Sequence, residues 1–98
     1  MKLQAFVTQM TSTEKEISFP YYAEHESVTG KDYYMVVSDK QLVKVITNDR
    51  YSSVTLVTPD VYSKELIEAK QITDIEFQIQ FLAAKARISQ ALLIPMHN

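Results

Sequence analysis

The densest group of titratable side chains in this 98-residue chain is Glu24-His25-Glu26. A histidine flanked by two carboxylates has the donors for a divalent metal and the partners for acid–base work. On an extended segment, alternation sends both glutamates to one face and His25 to the other. A solvated strand end is then the simpler reading. Asp32 could approach His25 across the intervening turn, and His97 stands beside the last residue. A three-ligand metal centre would still have to borrow from a second subunit. A small ligand site or enzyme centred near His25 is the third-ranked functional reading.

Nucleophilic catalysis would need Ser, Thr or Lys with an activating base, and the eight serines carry no recognisable motif. The absence of cysteine excludes thiol nucleophiles, disulfides and Cys-based metal sites together. Gly30 is the only glycine, and a P-loop, a dinucleotide fingerprint or a nucleophile elbow each needs at least two at fixed spacing. No catalytic residue, metal or cofactor is assigned on this basis.

Six tyrosines without a tryptophan are the most unusual compositional feature. Tyrosine offers a broad contact area with a polar tip, which suits protein interfaces. In the doublets Tyr21-Tyr22 and Tyr33-Tyr34, one ring should face the core and the other solvent. Base stacking on single-stranded nucleic acid is the alternative use, with Lys31, Tyr33, Lys40 and Lys44 as the contact residues. Lys31 and Asp32 break the basic-Gly-aromatic order such a strand requires. Ten basic residues also stand against twelve acidic ones, for a net charge of −2. Nucleic acid is therefore disfavoured as a partner.

The elements that must position these side chains divide near Pro59. Residues 2–10 form a candidate first strand. From Glu16, Ile17, Phe19 and Tyr21 alternate with polar neighbours, and Pro20 within that run argues for an edge strand. A turn is expected around Gly30. The runs 33–37 and 42–47 flank Ser38-Asp39-Lys40-Gln41 as a hairpin, and Asn48-Asp49-Arg50 turns the chain into a strand over 53–58. Thr58-Pro59-Asp60 starts a helix expected to reach about Gln71. Thr73-Asp74-Ile75-Glu76 is a capping box, with Ile72 and Phe77 as a hydrophobic staple, opening a second helix to Leu92 or Leu93. The alternation Ile75-Glu76-Phe77-Gln78-Ile79-Gln80-Phe81 offers a competing strand.

The expected fold is α+β in a single domain, 1–98. A four- to five-stranded antiparallel meander over 1–58 has its apolar face covered by two helices over 59–93, and 94–98 forms a tail. The second helix carries two apolar stripes. One holds Ile75, Ile79, Leu82, Ala86 and Leu93; the other holds Phe77, Phe81, Ala84, Ile88, Ala91 and Leu92. A helix apolar on two sides needs two partners.

The leading functional expectation is a small non-enzymatic protein acting through protein–protein contact, as a homodimer or within a larger assembly. Its candidate interface is Phe77, Phe81, Ala84, Ile88, Leu92, Tyr22 and Tyr34. No segment approaches the ~18 apolar residues of a membrane span, and the N-terminal run is too polar for a secretory signal. A soluble, cytoplasmic location without membrane contact is expected.

Overall fold

The computed structural model describes residues 1–6 and 12–93. Its elements are β1 (Lys2–Phe6), β2 (Ser12–Glu16), β3 (Tyr21–Ser27), β4 (Gly30–Ser38), β5 (Gln41–Thr47), β6 (Ser52–Val57), a 3-10 turn (Pro59–Tyr62), α1 (Ser63–Glu68), β7 (Lys70–Gln71) and α2 (Asp74–Leu93). The α+β class and the antiparallel meander are present: β3 to β7 form a five-stranded sheet in the order β6-β5-β4-β3-β7, and β1 pairs with β2 as a separate hairpin.

Local chemistry accounts for the turns. Gly30 opens β4 with φ +133°, and a Cβ there would meet nothing within 4 Å. The glycine is thus required by backbone conformation rather than by space. Asn48 Oδ1 accepts the N–H groups of Arg50 (2.8 Å) and Tyr51 (3.0 Å), closing the β5–β6 connection. The Thr73–Glu76 box is reciprocal: the Glu76 N–H donates to Thr73 Oγ1 at 3.1 Å, and the Thr73 N–H donates to Glu76 Oε2 at 2.8 Å. Residues 75–81 are therefore helical, because the cap satisfies helix N–H groups that a strand would leave to a neighbour.

The sheet is the middle of three layers. The register sets Tyr21 opposite Val36 and Ala23 opposite Tyr34, with Leu42 beside Val36. Those five side chains form one core with Leu3, Ile17, Leu66 and Ala69, supplied by the β1–β2 hairpin and the α1 region. The opposite face presents Tyr22, Tyr33, Met35, Val43 and Val45 to Phe77 and Ala84 of α2. The two helices thus cover opposite faces of the sheet, and not the single apolar face expected from the sequence. Both faces of β3, β4 and β5 carry apolar residues, and each needs its own cover.

Other boundaries also differ. β1 ends at Phe6, and the rest of the expected first strand, residues 7–10, lies outside the described residues, as does the tail 94–98 with His97. Pro20 precedes β3 rather than interrupting it, and β3 is internal, because β7 pairs with Ala23 and Glu24. Lys31 and Asp32 belong to β4, the turn itself being Val28-Thr29. The helix begun at Pro59 stops at Glu68, where Ala69 turns to extended backbone at φ −70°, ψ 151°.

Candidate functional site

The outward face of α2 is the largest apolar feature left uncovered on this helix. With 100° per residue, Phe77, Phe81, Ala84 and Ile88 lie along one side and Ile75, Ile79, Leu82 and Ala86 along the opposite side. Phe77 is 1% and Ala84 0% exposed on the sheet side, whereas Ile75, Ile79 and Leu82 are 68%, 58% and 57% exposed. The inward row is held by aromatic contacts. The Phe77 ring lies 5.6 Å from Tyr22, and it stacks on Phe81 at 6.2 Å with an interplanar angle of 13°. The chain entering the helix is tied down where the Ile72 N–H donates to the Tyr22 carbonyl at 2.9 Å. Farther along, the Arg87 guanidinium donates to the Asn48 carbonyl. These contacts fix the rotation of α2 about its own axis and so determine which stripe faces out.

This placement redistributes the expected interface. Phe77, Ala84 and Tyr34 are buried within the chain, and Tyr22, Phe81 and Ile88 are half-buried; Leu92 is exposed. The tyrosine doublets do not divide between core and solvent. They straddle the sheet, Tyr21 and Tyr34 in the α1-side core and Tyr22 and Tyr33 beneath α2. The free stripe Ile75, Ile79 and Leu82 was visible in the sequence as one of two. Nothing in a one-dimensional pattern distinguishes the stripe that meets the sheet.

Beside α2, a pocket of about 340 Å³ opens between the helix and the outer strand. Val54 and Leu56 of β6 line it with Met35, Val43, Phe77, Gln78 and Phe81. Its walls are apolar except for Gln78, and it contains no titratable group.

A group of titratable residues lies instead on the α1 side of the sheet. Lys44 Nζ lies 3.6 Å from Asp32 Oδ2 and 4.4 Å above the Tyr62 ring. The Tyr34 hydroxyl is buried without a hydrogen-bond partner, as is that of Tyr21. Burial first, and then the negative charges of Asp32 and Glu65, push the Tyr34 phenol well above its ordinary value of 10.0. Burial raises Tyr33 as well, with Lys31 opposing the shift. His25 faces this side with Nε2 3.9 Å from Glu68, while Glu24 pairs with Lys31 at 3.7 Å. Among the described residues, no three His, Asp or Glu side chains converge on a position that could hold a metal ion.

The proposed nucleic-acid residues are not brought together either. Lys44 is engaged with Asp32 on one face of the sheet, Tyr33 lies under α2 on the other, Lys31 is paired with Glu24, and Lys40 stands in the β4–β5 turn.

Fold and surface together describe a three-layer α+β fold with an outward apolar helix face. The chain matches no family model, no curated protein and no solved structure. No helix among the described residues is long and apolar enough to cross a membrane.

Proposed function

We propose that this protein works through contact with another polypeptide, and that it pairs with a second copy of itself through the outward face of α2. The observation that carries this reading is the exposure of Ile75, Ile79 and Leu82, in line along a helix whose other side is already packed. Burying an aliphatic side chain of this size completely is worth about 1.5–3 kcal/mol, and association costs about 4–15 kcal/mol. Three such residues from each copy, already partly covered, offset that cost only near its lower end, which supports weak, reversible pairing rather than an obligate dimer.

Light scattering coupled to size exclusion tests the reading. Refractive-index detection suits a chain without tryptophan. The expected mass at high micromolar concentration is twice the 11.3 kDa of one chain. Ile79→Glu and Leu82→Glu should each return it to one chain mass with unchanged far-ultraviolet circular dichroism. An unmodified chain that stays monomeric at high micromolar concentration, or a dimer indifferent to both substitutions, would overturn the reading.

A further inference from the structure

We propose that the two copies pair with their α2 helices antiparallel, Ile79 of each packing against Leu82 of the other and Ile75 against Ala86. This inference rests on the self-pairing reading above and adds its geometry. The exposed residues 75, 79, 82 and 86 are separated by steps of four, three and four, the alternation that lets two helices interlock side chains along a seam. The seam faces directly away from the sheet, so a second helix meets no part of its own domain there.

Size and charge select the direction. Centring the seam between Ile79 and Leu82 places each bulky Ile75 opposite a small Ala86, which levels the two surfaces. All four charged residues of α2 flank the seam: Asp74 and Lys85 on one side, Glu76 and Arg87 on the other. The antiparallel two-fold apposes like flanks. Asp74 then comes within two residues, about 3 Å along the axis, of Lys85 in the second copy, and Glu76 comes equally near Arg87. Parallel pairing apposes opposite flanks at the same level, setting Asp74 against Glu76 and Lys85 against Arg87, which is repulsive at both ends. The acidic first turn and the aligned helix dipoles favour the antiparallel arrangement further.

The cysteine-free chain makes disulfide trapping a clean test. Ile75→Cys and Ala86→Cys are prepared in separate chains and oxidised mildly, alone and mixed. The antiparallel seam predicts a disulfide-linked dimer in the mixture that is largely missing from either chain alone. Linking requires Cα atoms within about 7 Å, and two copies of residue 75 would lie far apart. Rapid linking of Ile75→Cys to itself would overturn the antiparallel arrangement. So would a dimer that still dissociates in Leu82→Glu but gives no mixed disulfide. In both outcomes the α2 reading stands. A dimer that persists unchanged in Leu82→Glu removes both.

Discussion

The ammonium group of Lys15 donates to the carbonyl oxygen of Leu66 at 3.2 Å, joining β2 to the end of α1 across 51 positions of sequence. A second bond from the same ammonium reaches the Ala69 carbonyl, also at 3.2 Å. The last carbonyls of a helix lack intrahelical partners. Here a lysine from the neighbouring hairpin satisfies two of them, while its charge lies 5.3 Å from the centre of the Tyr21 ring.

Replacing this cation should loosen the hairpin from α1. Lys15→Met keeps much of the apolar stem and loses both bonds, with an expected destabilisation of about 1–3 kcal/mol. Urea unfolding measures it, and a midpoint unchanged from the original chain would contradict a structural role for Lys15.

The start of α2 should separate into a small and a large effect. Thr73→Ala removes the side-chain acceptor for the Glu76 N–H and should cost about 1 kcal/mol. Phe77→Ala empties a site 1% exposed between Tyr22 and Phe81, with an expected cost of about 3–5 kcal/mol. Thermal and urea unfolding of the two variants should rank them in that order.

Lys44 and Asp32 should behave as a coupled pair, because their side chains are only 16% and 12% exposed. Lys44→Met leaves the Asp32 carboxylate in the α1-side layer without its cation, at a cost of about 3 kcal/mol. Adding Asp32→Asn should recover most of that loss. A double-mutant cycle reads the coupling directly, and additive costs would dismiss it.

Alkaline unfolding should report on Tyr34. Its phenol is raised in the folded chain above the ordinary 10.0, so both states hold the proton below that pH and stability is fully present there. Above it the unfolded chain releases the proton first, and stability falls as pH rises. Tyr34→Phe should flatten this alkaline decline. It should also leave neutral-pH stability equal or raise it by about 1 kcal/mol, since the hydroxyl has no partner in the core. An undiminished decline in Tyr34→Phe would assign it to other groups.

Much of this architecture was legible one residue at a time. The capping box at Thr73 and Glu76, the turns at Asp39-Lys40 and Asn48, and the alternation along β4 and β5 are governed by neighbours a few positions away. The early end of α1 was not legible: the lysine that holds Leu66 and Ala69 lies more than fifty residues upstream. The pairing of β7 with β3 has the same character. Lys70 and Gln71 carry no strand signal of their own, and they become a strand because Ala23 and Glu24 present an edge to them.

The candidate surface shows the same division. Sequence by itself determined that α2, taken as a helix, has two apolar sides, because a period of 3.6 residues suffices for that; the capping box argued for helix while the alternation over 75–81 left a strand open. It also determined that Tyr21-Tyr22 and Tyr33-Tyr34 point in alternating directions along their strands. Only the tertiary structure decided that Phe77 and Ala84 face the sheet while Ile79 and Leu82 face out, and that Lys44 and Tyr33 occupy opposite layers. The physical reason is that periodicity states which side chains share a face. Which face is buried depends on shape and contact with residues distant in sequence: here Tyr22, Val43 and Val45 beneath the helix, and the Asn48 carbonyl that receives Arg87.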